Sequence, residues 1–246
     1  MDYWISDAVL TPGNTIEQTV ETIFNLDRCC LCYTPPVESP EVSQPKHADA
    51  VTFGSFNDLS KISDMAIELW AEVLKAVPAS NLLLKAKQLH DLRLQNKLLE
   101  KFSSHGIAPN RIELRSRTTS RRDHLALYDN IDIALDTIPR TGGTTTMEAL
   151  WMGVPVITLK GKRFIERLSS TMIQAINRDD WIASTKEDFI AKAVSLAENV
   201  KLRNELRRTL RRQVMASPLY DGKDLARSLE QAYRKMWWIY LSDERM

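Results

Sequence analysis

Short apolar runs alternate with amphipathic segments from residue 50 to about residue 160, and the runs between glycine and polar turns are too short for helices. Several runs, such as LLL in NLLLK and VPVI in VPVITL, are apolar at successive rather than alternate positions, as strands buried on both faces require. Together these observations predict an α/β fold: a parallel, Rossmann-like sheet with helices on both faces, followed by a helical C-terminal extension.

The elements follow in order. AVTFGSF (50–56) reads as a strand. A helix from Ser63 to Ala76 comes next, with Met65, Leu69, Trp70, Val73, Leu74 and Val77 at helical spacing. NLLLKA (81–86) is the second strand, and HDLRLQNKLLEKFSSHG the second helix, stopped by Gly106. RIELRSR is a third strand, SRRDHLALYDN a short helix and IDIALDTI a fourth strand. Thr144 to Met152 form a helix that Gly153 ends, and VPVITL (154–159) is a fifth strand. Beyond Arg163 the pattern is helical. In the last helix, about Asp224 to Tyr240, the residues Leu225, Leu229, Ala232, Tyr233, Met236, Trp237 and Tyr240 are expected to form one buried face.

Residues 1–48 read differently. Apolar pieces at Tyr3–Ile5 and Cys30–Tyr33 flank an expected helix, Thr15 to Asn25, and TPPVESPEVSQP (34–45) has four prolines that favour an extended connector. This gives two regions: 1–48, a linker and the tail of a preceding unit, and 49–246, the α/β lobe.

A formal net charge of +1 gives no global field for nucleic acid or an anionic membrane. No apolar run approaches the roughly 20 residues of a membrane helix, and MDYWISDAVL lacks the pattern of a signal peptide. The three cysteines, Cys29, Cys30 and Cys32, have no second cluster to complete a zinc site and read as reduced thiols of a cytoplasmic protein.

Open parallel sheets bind ligands beyond the carboxyl ends of their strands, against helix N-termini. Three segments fall there. In RTGGTTTMEALWMG, Gly142 and Gly143 allow close backbone approach, and Thr144 and Thr145 add hydroxyls to the free N–H groups of a helix start that favours anions. Thr145-x-x-Glu148 is also a capping-box pattern, so helix capping and anion binding both remain open, and Glu148 either closes that box or accepts from a ribose hydroxyl. In FGSFNDLSKIS, Asp58 and Lys61 follow the first strand of the lobe. A lysine there can neutralise a departing diphosphate, or stand in solvent as a loop lysine, and the spacing is not that of a Walker loop. In TTSRRDHLAL, a basic pair at a helix N-terminus opposes the macrodipole, which capping does not explain, while His124 is either a ligand-facing ring or a half-buried polar one. The run RNELRRTLRRQ (203–213) places Leu206, Leu210 and Val214 on one face and reads as a helix with a solvated basic face rather than a nucleic-acid patch.

These motifs, with LDT…GTTTMEALWMGVPVITL, MASPLYD…YRKMW, MDY and LCYTPP, resemble the O-GlcNAc transferase family, more narrowly its bacterial and SPINDLY-like members, over essentially the whole chain. The resemblance implies the C-terminal, nucleotide-binding lobe of a GT-B glycosyltransferase, inverting and metal-independent, using UDP-GlcNAc to modify protein Ser or Thr. Some relatives use GDP-fucose. It implies that Lys61 stabilises the leaving diphosphate and that Asp58 stands at a polar nucleotide contact, where the family has an amide. It places the Thr119 backbone at the base, Arg121 at the ribose and His124 against uracil. Thr144 and Thr145 would bind the diphosphate and Glu148, in place of the animal Asp, the ribose. Gly143 replaces the His of the animal enzymes, as in bacterial relatives. It further implies an N-terminal lobe and TPR repeats, neither of which fits within residues 1–48, and no repeat of TPR length occurs. The expected partners are therefore a UDP-sugar donor, protein acceptors and a chain or domain supplying the other lobe. A non-catalytic half-enzyme is the alternative, with a GT-B sugar-nucleotide epimerase a weaker fit.

Overall fold

A computed structural model describes residues 2–44 and 50–243, so the expected boundary at 48/49 lies outside the described residues. The main sheet has six parallel strands: β3 (Thr52–Ser55), β4 (Asn81–Lys85), β5 (Ile112–Arg115), β6 (Ile133–Leu135), β7 (Val156–Leu159) and β8 (Ile182–Ala183). Their order is β5-β4-β3-β6-β7-β8, which is the doubly wound order with its reversal between β3 and β6. β3 and β6 are buried along their whole length, so both faces of the sheet are covered.

Two groups of helices supply that cover. α1 (Asp64–Ala76) packs against α2 (Leu92–Ser104) and α6 (Lys186–Glu198), and α4 (Thr144–Trp151) against α5 (Leu168–Ala175) and α7 (Val200–Met215). α1 starts where its sequence says it should: Ser63 is the N-cap, its hydroxyl accepting from the Ala66 N–H at 3.1 Å. Leu69, Trp70, Val73 and Leu74 are buried, but Met65, in the first turn, is exposed. Gly153 ends α4 at φ +73°, and a Cβ there would meet the Arg207 carbonyl at 2.8 Å, so α7 closes on α4 only over a glycine.

The expected strands at 50–56, 81–86, 111–117, 131–138 and 154–159 are all present; β8 was missed, because two residues carry no readable period. α3 (Arg121–Ala126) continues as one 3-10 turn, Leu127–Asn130.

Residues 1–44 depart most from expectation. Part of the expected helix at 15–25 is instead β2 (Thr22–Leu26), which pairs in parallel with β1 (Tyr3–Asp7); the β-branched and aromatic TIF outweighs the weak helical pattern. Cys30–Tyr33 is not a strand; Cys29 and Tyr33 are plugged into the main core, and Tyr33 stands edge-on to Trp151. Residues 34–44 are free of helix, as the prolines require. The long helix α8 (Gly222–Asp243) packs on β2 and forms a second, small core of Leu26, Ala232 and Met236 with Tyr3, Ile5, Phe24, Leu225 and Leu229. Tyr233, Trp237 and Tyr240 are exposed rather than on its buried face, since the two-stranded sheet covers only one narrow stripe.

The basic helix also differs. Leu206, Leu210 and Val214 are buried as expected, but so are Arg203 and Arg207. Arg207, 2% exposed, donates to the carbonyls of Tyr128, Met152 and Ile131, tying α7 to the strand connections beneath it. Among the described residues, no helix is long and apolar enough to cross a membrane.

Candidate functional site

The connections after β3 and β6 leave the sheet in opposite directions and open a crevice at its carboxyl edge. From β3, Asp58 caps a 3-10 turn, Leu59–Lys61, that aims the Lys61 side chain across the gap. Lys61 Nζ donates to the Thr141 carbonyl at 3.0 Å, in the loop after β6. Burial pushes the Lys61 pKa below its usual value, against an opposing pull from Asp136.

Asp136, fully buried at the end of β6, organises that loop. One of its carboxylate oxygens accepts from the N–H groups of Thr137 at 2.9 Å and Gly142 at 2.7 Å, and the other from the Thr158 hydroxyl at 2.7 Å. Burial raises its pKa, while these hydrogen bonds pull it down. The two glycines have different jobs. A Cβ on Gly142 would meet the Thr146 hydroxyl at 2.2 Å, whereas one on Gly143 would meet nothing within 4 Å, so Gly143 faces the open side.

The capping-box reading of Thr145 and Glu148 is overturned. α4 begins at Thr144 with Gly143 as its N-cap and no side-chain cap. Thr145 donates instead to Asn57 Oδ1 at 2.9 Å, joining the two sides of the crevice, and the Glu148 carboxylate turns to α3. The first N–H groups of α4 thus lack a side-chain acceptor at a terminus that favours anions. Thr144 is exposed beside them, at the mouth of a cleft of about 260 Å³ that Leu31, Tyr33, Met147 and Met172 line on its apolar side.

Glu148, 6% exposed at its side chain, accepts from His124 Nε2 at 2.9 Å and lies 3.6 Å from Arg121. His124 packs near Phe56 and Tyr128, with ring centroids 6.0 and 5.8 Å away. The Thr119 hydroxyl bonds the Asp123 carboxylate at 2.8 Å, leaving its backbone on the exposed approach to α3. Asp58 is turned away from the crevice: both its oxygens accept from Gln88, at 3.0 and 2.9 Å, and one caps Ser60, which lowers its pKa.

The structure therefore brings Lys61, Gly143, Thr144 and Thr145 to one edge, with His124, Arg121 and Glu148 forming a second cluster on α3 and α4. Sequence reasoning missed Asp136 and Lys85 as parts of the site. The signal for Lys85 was present: it is the single charge closing the apolar run NLLLK, at the edge where ligands bind.

A doubly wound sheet with a cation and an uncapped helix terminus at its switch point defines an α/β lobe with the makings of an anion site. A sequence profile of glycosyl transferase family 41 matches residues 42–229, and the chain belongs to that family. It is 35% identical over 242 residues to a probable UDP-N-acetylglucosamine–peptide N-acetylglucosaminyltransferase SPINDLY of Solanum lycopersicum, and 36% to that of Hordeum vulgare. In each case the match covers 98% of this chain but 26% of the relative, so the chain spans about a quarter of the relatives' length. A point mutant of the Thermobaculum terrenum O-GlcNAc transferase superposes with a TM-score of 0.88 at 35% identity, over 96% of this chain and 45% of that one. The lobe thus has the fold of the matching lobe of that GT-B enzyme. The expected fold and family both hold.

Proposed function

We propose that this chain is the donor-binding lobe of a protein O-glycosyltransferase, taking UDP-GlcNAc for transfer to Ser or Thr of proteins. The observation that carries this reading is that Lys61 reaches across the switch point to the loop leading into the uncapped N-terminus of α4. Lys61 gives up its bond to the Thr141 carbonyl and, with the N–H groups of Gly143 and Thr144 and the Thr144 and Thr145 hydroxyls, takes the diphosphate. These groups, rather than a metal ion, neutralise the charge that grows on the leaving UDP. His124 meets the base, beside the Thr119 backbone. Arg121 and Glu148 take the ribose. Asp58 acts indirectly, by holding the turn that aims Lys61.

The acceptor side, with the TPR repeats that the family resemblance implies, is proposed to come from another lobe, and residues 1–48 to belong with it. The open two-stranded sheet β1–β2 supports this, since a parallel pair needs further strands for stability of its own. Alone, the chain binds nucleotide weakly and transfers sugar slowly or not at all. A cytoplasmic setting accords with the three free thiols.

Calorimetric titration with UDP and GDP tests this reading. UDP is expected to bind more tightly, Lys61→Ala to weaken it roughly tenfold or more, and Thr145→Ala several-fold. Equal affinity in all three proteins would sink the site, and robust transfer by the isolated chain would sink the half-built cleft. The same titration carries a pH signature. An anion favours the charged lysine, so affinity should fall as pH rises through the lowered Lys61 pKa of the free protein. Lys61→Arg, which keeps its proton, should abolish that fall.

A further inference from the structure

Lys85 is the last residue of β4, and its half-buried ammonium lies against His124 Nδ1. An ammonium has three donors and no acceptor. The contact therefore requires a lone pair on Nδ1, and the ring proton must sit on Nε2. That nitrogen faces Glu148 Oε2 at 2.9 Å, so the ring donates to a buried carboxylate. The sequence Lys85–His124–Glu148 is then a directed chain of hydrogen bonds in which each group has one role. The opposite tautomer would set Nδ1–H against the ammonium and a bare nitrogen against the carboxylate, losing both contacts.

The geometry points to Lys85 as a positioning residue that locks His124 in its Nε2–H tautomer and pins the ring edge-on between β4 and α4. Two consequences follow. The imidazole keeps its faces, rather than its nitrogens, for a flat ligand, in line with the neighbouring Phe56 and Tyr128 rings. Glu148 spends Oε2 on the ring and keeps Oε1, 3.6 Å from Arg121, for a hydroxyl-bearing ligand. Arg117, beyond β5, adds a further positive charge near Lys85, and Glu148 opposes it. The ligand consequence rests on the donor-lobe reading above; the tautomer does not.

Long-range ¹⁵N–¹H correlation on histidine-labelled protein, without nucleotide and at neutral pH, reads the tautomer directly. The His124 signals are assigned by their loss in His124→Gln. The wild type should show Nε2–H alone, Lys85→Met a mixture or an imidazolium, and Lys85→Arg the wild-type pattern. Nδ1–H or a doubly protonated ring in the wild type overturns the inference, and so does an unchanged ring in Lys85→Met. The wild-type and Lys85→Arg spectra decide the matter even if Lys85→Met folds poorly. UDP affinity should fall roughly tenfold in Lys85→Met and recover in Lys85→Arg. A changed tautomer with unchanged UDP affinity overturns the positioning role. Failure of the wild type to bind UDP counts against the donor-lobe reading and leaves the tautomer result standing.

Discussion

Two parallel sheets in one chain have opposite fates. The six-stranded sheet is closed on both faces by helices and holds its connections with buried polar groups such as Asp136 and Arg207. The two-stranded sheet β1–β2 has α8 against it, a small core, and a helix that carries exposed Tyr233, Trp237, Trp238 and Tyr240. The same chain thus contains one finished hydrophobic unit and one that is finished only in part. Burial, not propensity, separates them: β1 and β2 are as β-branched and aromatic as the inner strands but find little to bury against.

The largest expected effect lies in the finished unit. Trp70 is completely buried on α1, and its indole N–H donates to the Asp136 carbonyl at 3.2 Å, so it couples the core to the loop that carries the site. Trp70→Ala should cost about 3–5 kcal/mol in chemical denaturation. It should also weaken UDP binding through the displaced loop. A loss no larger than that of a surface substitution would show that the lobe is less closed than the comparison holds.

How much of this contrast was legible in the sequence depends on how far each residue answers to its neighbours in the chain. The inner strands and α1 were readable because their apolar runs and the Ser63 cap are local signals. Gly143, Thr144 and Lys61 stood out because residue type at a strand end implies chemistry. Glu148 was ambiguous: a capping box and an ion pair with α3 use the same carboxylate, and only packing of α3 on α4 decides between them. Arg203 and Arg207 looked solvated because helical spacing does not reveal the carbonyls that await them, Leu196 at the end of α6 for Arg203 and Tyr128 in a distant connection for Arg207. β2 was misread as helix because its pairing with β1, 19 residues earlier, leaves no mark within the segment itself, and β8 is too short to have a period.

A smaller effect tests whether the two units open independently. Arg28, two residues beyond β2, donates to the carbonyls of Pro218 and Asp221 and pairs with Asp224 at 2.7 Å, fastening β2 to the start of α8. Arg28→Met should destabilise that junction by roughly 1–3 kcal/mol. Amide exchange would then speed up in β1, β2 and α8 while α1 and β3 to β7 keep wild-type protection. Equal acceleration everywhere would mean that the two sheets unfold as one unit, and the comparison would break.

The smallest effect concerns the unfinished face itself. Trp237 and Trp238 are 57% and 66% exposed, and the Trp237 and Tyr240 rings stack on one another at 5.6 Å. Replacing both tryptophans with serine removes little buried surface, so stability of the isolated chain should stay within about 0.5 kcal/mol of wild type. Self-association, followed by light scattering, should fall, because an exposed aromatic cluster on one helix is a sticky surface in water. A substantial loss of stability would mean instead that α8 covers more of its own sheet than its exposed rings indicate. The unit now taken as open would then be closed from within, and the need for another lobe to complete it would lose its physical basis.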